Sequence, residues 1–144
     1  MSGLEFLQGV KDGTLPGSAM ADTLEFLPVS LEAGRVVLEG TPGAYTYNMM
    51  GAVHGGYAAA MLDSVMACCV QSLLPAGTGY ATVEMKVSLV RGMTAETGTV
   101  RAEGHVLHLG KNVATAEARL IGRDDGKLYA HATTTCLLFP LPVP

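Results

Sequence analysis

Asn48, Gly51, the run His54-Gly55-Gly56 and Asp63 are the residues whose types and spacing could do chemistry. Glycines at the mouth of a helix sit among backbone N–H groups that have no partner inside the helix, where the helix dipole favours negative charge. With no Cβ in the way, a ligand atom can come close to that backbone. A carbonyl oxygen turning into an oxyanion would be stabilised there, a preorganised donor being worth roughly 2.7–4 kcal/mol. Asp63 adds a carboxylate eight residues after Gly55, and a carboxylate can serve as general base or as nucleophile. The same residues also fit a plain glycine turn and a hydrogen-bonded structural aspartate. On a helix the two positions lie about 12 Å apart along the axis, so within one chain they cannot grip the same small group. If both act on one reacting centre, the second comes from another subunit across a symmetric interface.

The element that must position them is the run from Gly55 through Val70, which reads as helix and is apolar on nearly every face except at Asp63. Such a helix is expected to be buried on all sides, and an ionised carboxylate goes inside only when something pairs with it or uses it. Pro75, Gly77 and Gly79 end it. Upstream, Leu4, Leu7 and Val10 follow a capping Ser2 at helical spacing and predict a short amphipathic helix over about 3–12. Pro16-Gly17 breaks the chain, and Thr23 to Leu31 and Arg35 to Gly40 read as two strands around a turn at Glu32-Ala33-Gly34, with Pro28 making the first an edge or bulged strand. Downstream the period changes to two: Val83, Met85, Val87 and Leu89 alternate with Thr82, Glu84, Lys86 and Ser88. That strand and the stretches Thr97 to Leu109, Asn112 to Ile121 and Leu128 to Phe139 are expected to form a four-stranded antiparallel meander. The tail 140–144, rich in proline, is expected to lie loose. One long helix covered by such a sheet is an α+β arrangement, taken as a single domain over 1–144. Ala114, Ala116, Ala118 and Leu120 on one strand face suggest that a second subunit packs there.

Composition narrows the class. Hydrophobic residues make up 49% of the chain and charged ones 15%, which leaves a monomer little charge to cover its surface and favours a homo-oligomer. A net charge of -4, with Lys and Arg scattered singly, speaks against nucleic acid. The only stretch of membrane length, Tyr57 to Leu74, carries Asp63, and a carboxylate at mid-bilayer would cost roughly 2.5–3.5 kcal/mol; no membrane partner is expected. Three cysteines, two of them adjacent, do not make a disulfide framework, and with no signal-peptide pattern at Met1 to Val10 the expected compartment is cytoplasmic. Cys68 and Cys69 follow Asp63 without a paired base and read as packing residues. His105 and His108, three apart in a strand, are expected on opposite faces and make a poor metal pair.

Asn48, Gly51, His54-Gly55-Gly56 and Asp63 stand in an order and spacing that resembles the hotdog-fold acyl-CoA thioesterases, in particular the phenylacetate-pathway (PaaI-like) branch, which includes the mammalian thioesterase-superfamily proteins and some 4-hydroxybenzoyl-CoA thioesterases. The resemblance implies a curved antiparallel sheet wrapped around a long central helix, subunits paired edge to edge, and dimers that often associate into a homotetramer. It implies hydrolysis of an acyl-CoA to free acid and coenzyme A, with coenzyme A as part of the substrate and no metal or other cofactor. By position, Asp63 would be the catalytic carboxylate, Gly55 N–H the oxyanion donor, His54 and Asn48 the groups that orient thioester or water, and Thr82 a hydroxyl that helps place that water. Some relatives have Glu at the position of Asp63; the shorter arm would favour water activation over direct attack. Met49, Met50, Met61 and Met66 are candidates to line an adaptable acyl pocket, with Gly56 and Tyr57 bordering it, although methionine also serves as ordinary core. Arg91, Lys111 and Arg123 are the candidate cations for the coenzyme A phosphates. Two alternatives stay open: a non-catalytic acyl-CoA-binding protein of the same fold, and a hotdog dehydratase using the His at the helix start.

Overall fold

The structure is a computed structural model and describes residues 1–143. Helix α1 (Gly3–Lys11) is started by Ser2 and Glu5, which satisfy each other's backbone N–H groups. Helix α2 (Ala19–Leu24) is capped by Ser18 and stopped by Glu25 in the left-handed region, φ 57°. Strands β1 (Phe26–Glu32) and β2 (Arg35–Gly40) form a hairpin through Ala33-Gly34, with Gly34 at φ 77°. The central helix α3 (Gly55–Gln71) follows, then β3 (Thr78–Leu89), β4 (Val100–Leu109), β5 (Val113–Gly122) and β6 (Leu128–Pro140).

All pairings are antiparallel, in the order β1-β2-β4-β5-β6-β3. The sheet curls so that β2, β3, β4, β5 and β6 all touch α3. Met61, Leu62, Val65, Met66, Cys69 and Val70 lose all exposure against it, each large apolar side chain gaining about 1.5–3 kcal/mol by burial. That exceeds the helix-propensity deficit of a Val or Cys, under about 1 kcal/mol, so packing holds α3 helical. Among the described residues no helix is long and apolar enough to cross a membrane.

Several expectations are corrected. Thr23 and Leu24 belong to α2, because Ser18 supplies a cap eight residues before the strand begins. The last four strands are not a meander: β3 pairs with β6 at the far edge, and the connection 90–99 crosses to bring β4 beside β2. Arg91-Gly92-Met93 is part of that crossing, with Met93 buried. Ala114, Ala116, Ala118 and Leu120 do not face a second subunit; they are the core face of β5, buried under α3. Their small size lets sheet and helix come close. Pro140 is not loose but closes β6 opposite Thr78, 141–143 carry no regular structure, and Pro144 lies outside the described residues. Finally, α3 is not buried on every side within one chain, since Asp63, Ser64, Ala67, Cys68 and Gln71 stay half-buried along one stripe.

Gly104 is one point of close approach between sheet and helix, where an added Cβ would lie 2.9 Å from Cys69 Sγ and 3.3 Å from Val65. Gly104→Val is expected to lower the unfolding free energy by about 1–3 kcal/mol in urea denaturation. Gly92→Ala, with nothing within 4 Å, should leave it unchanged.

Candidate active site

The approach to α3 is built by Asn48 and Gly51. Tyr47 bridges Val53, and between them the Asn48 side-chain oxygen accepts from Met50 N (2.9 Å) and Ala52 N (3.3 Å) while Gly51 turns at φ 82°. Asn48 is thus engaged with its own loop, and Met49 and Met50 are left at the tip, fully exposed. The reversal delivers His54 to the helix mouth, where its N–H donates to Thr46 O at 2.7 Å. His54 Nδ1 accepts from Gly56 N at 2.8 Å and so caps α3 with its imidazole. Gly56 has to lack a Cβ, which would lie 2.9 Å from that nitrogen. At Gly55 a Cβ would meet Leu89 Cδ1 at 2.6 Å. The N–H of Gly55 has no hydrogen-bond partner among the described residues, which leaves a backbone donor at the positive end of α3.

Asp63 stands two turns further along, on the half-buried stripe. Thr82 reaches it from β3, its hydroxyl donating to Asp63 Oδ1 at 3.3 Å. A β-bulge makes this possible: the register of β3 against β6 shifts between Thr82 and Glu84, leaving Val83 unpaired. Thr82 therefore faces inward opposite buried Cys136, and Met85 faces inward opposite buried Thr134. Strict alternation would have put Thr82 on the outer face. Asp63 and Thr82 open into a groove of about 570 Å3 whose far walls are α1, α2 and β1. The structure thus gathers the candidates into two groups: His54, Gly55 and Gly56 behind the Asn48 loop at the helix mouth, and Asp63 with Thr82 at the groove. About 12 Å of helix separates them.

The remaining candidates fall elsewhere. Tyr57 is turned into the core, its hydroxyl against the Gly40 backbone and without a partner, and burial pushes its pKa up. Met61 and Met66 are core as well. Arg91 follows β3 at the sheet end where Leu89 meets Gly55, and Arg123 follows β5 at that same end, held by Glu39 at 3.4 Å. Lys111 lies at the other end of β5, a strand of ten residues and therefore roughly 30 Å away. His105 and His108 share the outer sheet face, contrary to expectation, because a second bulge at Leu107 resets the alternation; His105 pairs with Glu117 at 3.0 Å. Among the described residues no three His, Cys, Asp or Glu side chains are grouped to hold a metal ion. Burial raises the thiols of Cys68 to about 11 and of Cys69 to about 12, so neither offers a thiolate.

The groove walls were missed in the sequence, although a signal existed: Asp63, Ser64, Ala67, Cys68 and Gln71 form the stripe of α3 with small and polar side chains, at the spacing of one helix face.

The Thioesterase superfamily model matches residues 50–129. A phenylacetic acid degradation-related protein from Ralstonia eutropha JMP134 is 30% identical, with 92% of this chain and 98% of that one covered and a TM-score of 0.82. A conserved protein from Pseudomonas aeruginosa is 28% identical over 85% of this chain and 95% of that one, TM-score 0.78. The E. coli PaaI protein, at 19% identity, shares the fold over 99% of this chain and all of its own length, TM-score 0.83. Among curated proteins, "Putative esterase F42H10.6" of Caenorhabditis elegans is 28% identical over 114 residues, and the chain spans 66% of its length. The curved sheet around a central helix is the hotdog fold of these neighbours.

Substitutions at two positions test what the helix mouth contributes to folding. His54→Ala is expected to cost about 0.5–2 kcal/mol in urea denaturation through loss of the cap, and His54→Asn, a good cap residue, to restore most of it. Tyr57→Phe removes a buried hydroxyl that pairs with nothing, and should leave the melting temperature unchanged or raise it.

Proposed function

Because the chain belongs to the Thioesterase superfamily, we propose that it hydrolyses an acyl-CoA to a free acid and coenzyme A at sites shared between two copies of the chain. The observation that carries this reading is the pair of half-sites. A free backbone donor at the mouth of α3 can receive the thioester oxygen, and a carboxylate with a hydroxyl beside it can activate water. Each copy holds both halves, too far apart to meet, and a two-fold pairing brings the Asp63 of one copy to the Gly55 of the other.

Strand β3 is the edge suited to that pairing. Its outer side is unpaired, and Val83, Leu89 and the following Val90 are more than half exposed, a surface that natural edges avoid unless another chain covers it. A homodimer paired along β3 is the unit of function in this reading, and a dimer of dimers the larger assembly.

Within the site, Gly55 N–H binds the carbonyl oxygen, where negative charge develops. Asp63 takes a proton from water as that water adds to the carbonyl carbon. Collapse of the tetrahedral intermediate breaks the carbon–sulfur bond and expels the coenzyme A thiolate, which takes up the proton. Thr82 donates to one Asp63 oxygen and leaves the other free to act as base. Asn48 and His54 hold the backbone donor in place through the turn and the cap. Of the candidate cations, Arg91 stands at the helix-mouth end and makes no salt bridge among the described residues, which makes it the best placed for a coenzyme A phosphate. No metal or redox group enters this scheme.

Release of free thiol from acyl-CoA esters tests the reading. Asp63→Asn can still accept from Thr82 but cannot take a proton, and should lower kcat at least about a hundredfold with the fold intact by circular dichroism. If Asp63→Asn matches an active wild type, the carboxylate is structural; if the wild type releases thiol from no ester, the chain is an acyl-CoA-binding protein. A single turnover in 18O-labelled water should place the label in the product acid and none in Asp63; label in Asp63 would instead mark an acyl-enzyme anhydride.

A further inference from the structure

The groove that begins at Asp63 and Thr82 has a defined far end. It follows the α3 stripe past Ser64, Ala67 and Cys68 to Gln71, eight residues from Asp63 and so about 12 Å. There Phe6, Gln71 and Tyr80 close it, and the same three side chains line a second cavity of about 310 Å3 on their other side, under Phe139 and Leu141. They form a partition between two spaces, and Phe6 is its apolar member from α1.

The partition is fixed in position. Gly3 N–H donates to Leu74 O at 2.9 Å, and a Cβ on Gly3 would lie 1.7 Å from Gln71 O, so α1 sits directly against the end of α3. The Ser2–Glu5 caps start the helix, and Leu7 is buried beneath it. Between partition and carboxylate the walls are largely apolar, with Val10, Ala21, Phe26, Leu31 and Leu38 around the space. Such a lining takes a hydrocarbon and offers little to a charged or hydroxylated tail.

Resting on the thioesterase reading above, we propose that Phe6 is the specificity-determining end stop of the acyl groove, which takes an apolar acyl chain of medium length. A fully extended chain advances about 1.2 Å per bond, from 3.6 Å over the three backbone bonds of a residue. Twelve ångströms then hold roughly ten bonds. Removing the phenyl ring joins the two cavities and lets a longer chain pass. Filling the groove at Ala67, one turn beyond Asp63, cuts it short.

The test is kcat and KM for thiol release from butyryl-, octanoyl-, decanoyl-, palmitoyl- and phenylacetyl-CoA, with wild type, Phe6→Ala and Ala67→Phe as full chains whose melting is checked first. The wild type should prefer octanoyl- and decanoyl-CoA. Phe6→Ala should raise the palmitoyl-to-decanoyl ratio of kcat/KM at least tenfold, mainly through KM. Ala67→Phe should move the preference to butyryl-CoA. Because Phe6 is partly exposed at 38%, its truncation leaves the core intact; Phe6→Leu, with an intermediate shift, is the second reading of the same wall. A chain-length profile that neither Phe6 variant moves, or a preference for phenylacetyl-CoA unaltered by Phe6→Ala, overturns the end stop while the hydrolase reading stands. No turnover of any ester by the wild type overturns both.

Discussion

The structure depends on how closely one helix and a curved sheet can approach each other. Glycine at 104 and alanines at 102, 114, 116, 118, 130 and 132 line the inner face of β4, β5 and β6, while Met61, Leu62, Val65 and Met66 supply the bulk from the helix. Large residues on one side and small on the other interlock at the density of a protein interior. The curl that results brings β1 and β3 round toward the open side of α3, where α1 and α2 lie. The groove is the space this curl leaves unfilled, so the packing that stabilises the chain also shapes its binding surface.

The two groups of candidate residues follow from the length of α3 and from local devices at each end. At the mouth, the Asn48 turn, the His54 cap and two glycines without room for a Cβ present a backbone donor. Two turns on, a bulge turns Thr82 toward Asp63. Both depend on positions where regular structure is broken, and functional sites are often found at such positions. The helix between them acts as a rigid spacer and holds the halves apart.

How much of this was legible in the sequence depended on the range of the signal. The central helix and the hairpin at Ala33-Gly34 were readable because caps, glycines and periodicity are local. Asp63 stood out because a carboxylate in an apolar helix needs a reason. The partner of β3 was not readable: its pairing with β6 spans more than forty residues, and nothing near β3 records it. The bulges at Val83 and Leu107 were equally hidden, since each inserts one residue into a pattern that otherwise alternates, and each reversed the face assigned to a polar side chain. The alanines of β5 announced a close neighbour without saying which, and the neighbour was the chain's own helix. The roles given to Asp63, Gly55, His54, Asn48 and Thr82 came from the family resemblance; the fold shows which of them lie together.

The position of α1 bears on the order in which the molecule is made. Helix α1 packs in part on β1, which follows closely in the chain, but the backbone anchors at its start, Gln71 and Leu74, come some seventy residues later. Its docking is complete only after α3 has formed and the sheet has begun to close round it. Contacts of such sequence separation are slow to form, and a short helix held by few buried side chains is among the first parts to open again. The groove beside Asp63 is therefore completed late in folding, and brief undocking of α1 would expose its floor while the core stays folded.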